Sequence, residues 1–473
     1  MTNSLIDKKE RAFGIRDKIG YLLGDFGNDF TFILSSSFLL KFYTDVMGVS
    51  AGVVGIVMML ARFVDAFTDV TMGRICDRSK NTSHGKFKPW LRRMAGPVAI
   101  SSFLIYQSAF ADASMAFKIA WLVVTYLLWG SIFYTSVNIP YGSMASAITA
   151  DPNERQSLST WRSMGATLAG AFIGAGLPLI VYEERIVGEQ TVAILNGRNF
   201  TIAAGVLSLL AVGAYLLCFH LTTERVKVED RLPHEHRRIG ELLKSAFKNR
   251  ALISMVVAST VMLMSQLTMQ QMSNYVYPNY YGNYTAMTVS TLAMLVAMVL
   301  AAAFAKPLSS RIGKAEISVG ANLLAAGVSG LLFIIRPQSV WVFVLIQLVM
   351  WLGLGMFTMV SWALITDVID HSELINGVRE DGSIYAMYSF SRKLGQSLSA
   401  GFVGLLLTII GYKESTAFDP NVTNGIFNIA TLVPAIGFLL LALVLWFWYP
   451  LHKKQVQENI HLLAEKRRNS QME

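Results

Sequence analysis

Arg62, Asp65 and Asp69 stand at i, i+3 and i+7 in the stretch "ARFVDAFTDVTMGRICDR", inside a run that is otherwise apolar. At that spacing the three share one face of a helix. Two carboxylates on such a face offer hard oxygens to a small cation, or a carboxyl that takes up a proton where water is scarce. The structural alternative is a salt bridge to Arg62 or to a lysine of another segment, which would need one carboxylate rather than two. Asp25 and Asp29 repeat the i, i+4 arrangement, with Asn28 beside them. Carboxylates and amides bond sugar hydroxyls, so Asp29 is a candidate ligand. Asp25, nearer the end of its run, is expected to be solvated or to contact backbone. Arg162, in "STWRSMGATLAG", needs an anionic partner or a polar ligand at depth, and Asp29 or Asp65 would serve. Lys393, in "SFSRKLGQSLSAG", is a second deep cation; its neighbour Arg392 points elsewhere, and Lys41 is close enough to an end to snorkel. Gln266, Gln270 and Asn274 recur every four residues, either as a sugar-facing stripe or as interhelical glue.

What must hold these groups is a set of apolar stretches, each near the ~20 residues a bilayer requires. They run at roughly 20–45, 50–73, 94–111, 117–147, 160–182, 199–221, 252–280, 286–305, 316–335, 339–369, 384–411 and 425–449. The expected fold is therefore all-α and integral to a membrane, with twelve transmembrane helices. A charge at mid-membrane costs about 3 kcal/mol on insertion scales, so such residues normally face a bundle interior or an aqueous path.

Composition agrees. Of 473 residues, 53% are hydrophobic and only 15% charged, against about 25% charged in soluble proteins. The loop lysines and arginines gather in the N-terminus, 74–93, 222–250, 306–314 and the tail, which predicts cytoplasmic termini and explains the net charge of +9 as topology. Those loops are short and lack interleaved aromatics, so nucleic acid is not an expected partner. Two cysteines, Cys76 and Cys218, lack metal-ligand spacing, and no metal site or resident cofactor is expected. None of the seven histidines lies in the middle of a span, and no nucleophile–His–Asp set or P-loop occurs, which argues against an enzyme or an ATP-driven pump.

The polar segment 222–251 divides the chain into six-span bundles at 1–221 and 252–449, with a tail at 450–473. "IGELLKSAFKN" within it reads as a short surface helix. The basic turns "GRICDRSKNTSHGKFKP" and "AKPLSSRIGKAE" follow the second span of each half, an echo expected of major-facilitator transporters.

Seven stretches carry a more specific likeness: "YLLGDFGNDF", "LARFVDAFTDVTMG", "GKFKPW", "NIPYGSMASAIT", "DPNERQSLSTWR", "DVIDHSELINGVREDG" and "SRKLGQS". Through them the chain resembles the glycoside–pentoside–hexuronide cation symporters, the melibiose-permease-like branch of the major facilitator superfamily. The resemblance implies sugar taken up with H⁺, Na⁺ or Li⁺ by alternating access, with one central sugar site between the halves. It matches the family's sugar-binding aspartate to Asp29, its cation-site aspartates to Asp65 and Asp69, and its span-five arginine to Arg162. Its span-four tyrosine and threonine become Tyr134 and Thr135, and its span-eleven lysine becomes Lys393. Three positions depart from melibiose permease: Asn138 replaces an acidic residue serving sugar and cation, Gly142 a tryptophan, and Asn28 a lysine. A lost carboxylate weakens a Na⁺ site more than a proton site, so H⁺ is the favoured co-transported cation and Na⁺ the alternative. "VNIPYGS" is closer to the glucuronide and xyloside branches.

The expectation is thus a sugar symporter of the bacterial inner membrane, a monomer among lipids, carrying a xyloside or glucuronide-type glycoside. Its sugar site is expected from Asp29, Arg162, Tyr134, Asn138, Lys393, Gln266 and Gln270, and its cation site from Asp65, Asp69, Thr135 and Asn138. Lys86, Lys88 and Arg379, in the charged loops "GKFKPW" and "ELINGVREDG", are expected to latch an inner gate. A membrane sensor that binds sugar without moving it, and an integral-membrane enzyme, are the competing classes.

Overall fold

Apolar runs fold as helices because a bilayer offers the backbone no other partner, and the polar residues at their ends decide where each begins. Asp151 accepts from the Asn153 and Glu154 amides at 2.7 and 3.0 Å and is followed by Pro152, a strong start signal. Ser114 and Asn249 cap two more helices in the same way. Gly313, at φ +123°, ends one helix and opens the next.

The computed structural model describes residues 11–187, 190–226, 249–376 and 381–469. Its helices are α1 (Ile15–Asp45), α2 (Ala51–Arg78), α3 (Lys88–Ile105), α4 (Met115–Ile148), α5 (Pro152–Val181) and α6 (Gly197–Leu221). After the central segment come α7 (Arg250–Tyr280), α8 (Thr285–Ile312), α9 (Lys314–Ile335), α10 (Val340–Asn376), α11 (Asp381–Ile409), α12 (Pro420–Trp448) and a polar α13 (Lys453–Asn469). Among the described residues, 9 helices are long and apolar enough to cross a membrane. The long helices α1, α3 and α11 occupy the expected first, third and eleventh spans but are more polar in composition.

Three local features depart from expectation. The segment after the fifth span is a hairpin, β1 (Tyr182–Val187) pairing antiparallel with β2 (Gln190–Leu195) in the register Tyr182↔Leu195, where only a loop was expected. Helix α10 continues to Asn376, so much of "DVIDHSELIN" is helix rather than loop. The proposed surface helix "IGELLKSAFKN" and Arg379 lie outside the described residues.

Contacts group the chain into two units. One draws on Met1–Ser35, Phe63–Ile173 and Gly197–His234; the other on Ser36–Arg62, Gly174–Asn196 and Glu235–Glu473. Residues 36–62 and 174–196 pack in the second unit. There Asn274 Nδ2 donates to the Ser37 carbonyl at 2.8 Å, Ser397 Oγ to that of Met59 at 3.0 Å, and Thr288 Oγ1 to that of Ala175.

Candidate functional site

In the first unit, α1, α4, α5 and α6 approach closely because small residues face one another. A Cβ at Gly165 of α5 would come within 2.5 Å of the Leu22 carbonyl oxygen, and one at Gly24 within 2.4 Å of the Tyr141 ring. This closeness brings Arg162 to α1, where its Nε donates to Asp25 Oδ1 at 2.9 Å. The guanidinium lies 5.2 Å from the Tyr141 ring centroid. Tyr141 is fixed in turn: it stacks on Tyr21 at 4.7 Å and its hydroxyl donates to the Tyr21 carbonyl at 2.6 Å. Arg162 also hydrogen-bonds the Tyr21 side chain, and its own side chain is 39% exposed. Gly142 faces it, with room at 4.0 Å where a larger side chain would intrude.

The arginine's partner is therefore Asp25, which is buried, and not Asp29 or Asp65; the expectation of a solvated Asp25 is corrected. Asp29, half-buried one turn further along α1, has no hydrogen bond or ion pair among the described residues. Asn28 accepts from the Tyr215 hydroxyl at 2.9 Å, so it joins α1 to α6.

A second group forms between α2 and α4. Helix α4 relaxes into a π-wound segment at Leu128–Tyr134, a feature that recurs at functional sites. Ser131 Oγ donates to Asp65 Oδ1 at 2.6 Å, and Thr135 Oγ1 to Asp69 Oδ1 at 2.9 Å. The Thr135 hydroxyl also lies 3.1 Å from the Gly130 carbonyl oxygen. Two carboxylates one turn apart thus meet two hydroxyls one turn apart, an oxygen-rich group suited to a proton or a small hard cation. Ser131 was missed in the sequence, although it precedes Thr135 by four residues just as Asp65 precedes Asp69. Tyr134 ends the π segment and stacks on Phe32 of α1 at 5.8 Å; Asn138 is half-buried one turn further on.

In the second unit Lys393, Gln266 and Gln270 are half-buried. The stripe along α7 divides: Asn274 is interhelical glue, whereas its buried neighbour on the next face is Gln271, which donates to Ser399 Oγ at 3.4 Å. Arg392 lies 6.0 Å from the Trp362 ring, an anchor. Asp367 pairs with Lys314 at 2.5 Å.

Lys41 does not snorkel. It is 1% exposed, 2.6 Å from Asp45, and donates to Asn279 Oδ1 and the Tyr412 hydroxyl at 2.7 and 2.8 Å. Its ammonium lies 4.5 Å from the Tyr275 ring centroid, and Tyr412 donates to Asp45 at 2.8 Å.

Of the residues expected at an inner gate, Lys86 and Lys88 stand where α3 begins. Both are buried in the first unit, where Lys86 Nζ donates to the Asp77 carbonyl at 2.8 Å and Lys88 Nζ to that of Thr222. Their loop is tied by Glu224, which accepts from the backbone amides of Lys86, Phe87 and Lys88 at 2.7, 3.0 and 2.6 Å. Burial pushes the Glu224 carboxyl above its ordinary value, against the pull of those amides and of Lys88.

The family described as MFS/sugar transport protein matches residues 20–453. The glucuronide carrier protein homolog of Escherichia coli (strain K12) is 33% identical over 445 residues, 94% of this chain and 94% of that protein. The isoprimeverose transporter of Lactiplantibacillus pentosus is 29% identical over 461 residues, 94% and 92% of the two chains. The crystal structure of a D-xylose-proton symporter superposes with a TM-score of 0.61 at 13% identity, covering 92% of this chain and 97% of that one, a likeness of fold alone.

Proposed function

The chain belongs to the MFS/sugar transport protein family, and from that membership we propose that it couples uptake of a glycoside to an inward cation gradient at the α1–α2–α4–α5 site. It is a multi-pass membrane protein with the major facilitator fold and a sugar transporter rather than an enzyme. The observation that carries the finer reading is the half-open Arg162, paired with Asp25 through Nε and bonded to Tyr21.

A planar guanidinium has five donors, more than Asp25 and Tyr21 use, and its fork matches a carboxylate or a pair of hydroxyls. Together with the glucuronide carrier homolog among the relatives, this favours a hexuronide-type glycoside over a xyloside. Asp29, one turn beyond Asp25 on α1, and Tyr134 of α4 take sugar hydroxyls in this reading. Asn138, Lys393, Gln266 and Gln270 remain assigned to sugar contact by their side-chain chemistry and the family resemblance, each to be tested by its own variant.

Asp65 and Asp69, with Ser131 and Thr135 as hydroxyl partners, hold the co-transported cation. Asn138 in place of a third carboxylate supports H⁺ over Na⁺, and the cation is cargo, with no resident cofactor in the reading. Cation binding raises sugar affinity and sugar raises cation affinity, as linkage requires. The basic loops support cytoplasmic termini in a bacterial inner membrane, with the sequence halves 1–221 and 252–449 exchanging access in a monomer.

Uptake of a labelled glucuronide into proteoliposomes under an imposed proton or sodium gradient tests this. Accumulation should follow the proton gradient and vanish in Asp65→Asn, which should keep gradient-free exchange. Accumulation driven by sodium alone would replace H⁺ with Na⁺, and full gradient-driven uptake by Asp65→Asn would remove that residue from coupling.

A further inference from the structure

A cavity of ≈ 360 Å³ opens where α6 ends and α3 begins, lined by Thr82, His84, Pro89, Arg92, Arg93 and Phe219. Among the described residues the lining holds two guanidiniums and an imidazole and no carboxylate. Among the described residues neither Arg92 nor Arg93 has an acidic partner, and both are exposed. Adjacent like charges facing one space repel until an anion joins them.

The walls are built rather than incidental. Thr82 and Gly85 exchange backbone hydrogen bonds at 3.1 and 3.0 Å, closing a narrow turn. Gly85 takes φ +105°, and a Cβ there would lie 2.5 Å from the Glu224 carboxylate. Glu224 occupies the amides at the start of α3, so the cations of the cavity are not drawn to it. Phe219 forms the floor, with the His84 ring 5.5 Å and the Arg92 guanidinium 5.7 Å from its centroid.

Depth decides what anion is offered. Phe219 lies two residues before the end of α6 at Leu221, and Arg92 and Arg93 immediately precede the apolar run of α3. The cavity therefore sits at the level where spans end and headgroup phosphates lie, the usual place for basic lipid pockets.

We propose that this cavity is a binding site for a phosphate ester, clamped by Arg92 and Arg93 beside His84 over the Phe219 ring. Two sources supply that chemistry at this level, an anionic phospholipid headgroup and a soluble phosphate monoester.

The test is thermal unfolding of the delipidated full chain in detergent, titrated with phosphatidylglycerol in mixed micelles or with glycerol 1-phosphate. Phosphatidylglycerol should stabilise the wild type saturably, and R92Q/R93Q should bind it about thirtyfold more weakly, as expected from losing two basic groups beside an anionic headgroup. K306Q/R311Q, which loses the same charge from exposed positions elsewhere, should match the wild type. Stabilisation by glycerol 1-phosphate, lost in R92Q/R93Q, would support the site with a soluble ligand as its source. Equal responses from all three proteins to both probes, or an equal loss in K306Q/R311Q, would overturn it. Should R92Q/R93Q fail to fold, headgroup-photoreactive phosphatidylglycerol on the wild type decides: label within 82–93 or at Phe219 supports the site, and label only elsewhere overturns it.

Discussion

Two ion pairs begin on α1, and they differ in what they leave open. Asp25 holds Arg162 through one nitrogen, on a side chain 39% exposed. Lys41 is 1% exposed, and its ammonium is surrounded by Asp45, Asn279, Tyr412 and the Tyr275 ring. Both place a cation where lipid would penalise it, yet only the first keeps donors for a further ligand. A charge within a span is thus not by itself a mark of a substrate path. Unspent hydrogen-bonding capacity is the better sign, because a saturated ammonium has nothing to offer a sugar.

The sharpest way to break this contrast is Arg162→Ala. Uptake of labelled glycoside should fall to background while the protein still folds, and Arg162→Lys should rescue little, since a point charge lacks the planar fork. Retained uptake in either variant would make the open pair as structural as the sealed one.

Lys41→Met tests the other side. Removing one partner of a buried pair costs about 3–5 kcal/mol, whereas replacing both with apolar residues is often close to neutral. The single variant should lower the unfolding temperature markedly, Lys41→Met/Asp45→Leu should recover most of it, and neither should change which sugar is carried. An altered substrate preference would move the Lys41 cluster into the site.

The smallest effect belongs to Tyr412→Phe. It removes one hydroxyl that serves both charges, worth about 1.5–3 kcal/mol for a bond to a charged group. Stability should drop by less than in Lys41→Met, with the KM for sugar unchanged; a larger drop would mean that Tyr412, not Asp45, is the main support of the ammonium.

The spans, and the pairing of chemistry with α1, α2 and α5, were legible because charges stand out in apolar sequence. Depth was not. Asp25 looked peripheral because its apolar run begins near residue 20, but α1 starts at Ile15 and carries Asp25 about 15 Å inward at helical rise. Lys41 was misread for the converse reason: its helix end is covered by Asn279 and Tyr412, more than two hundred residues away, so no water waits for the ammonium. The hairpin at Tyr182–Leu195 was not legible because "YEERIVGEQTVAIL" does not alternate apolar with polar residues. Ser131 was available from spacing alone, by sliding the Asp65–Asp69 interval onto α4.

The π-wound segment Leu128–Tyr134 also sets a phase. Each residue added to or taken from a helix rotates everything beyond it by about 100°. Deleting one residue between Ser131 and Thr135 would leave every side chain of the oxygen group present, yet point Thr135 away from Asp69. Tyr141 would turn from Tyr21 in the same step. In this stretch chain length itself carries information, and a one-residue deletion should be as damaging as losing an aspartate.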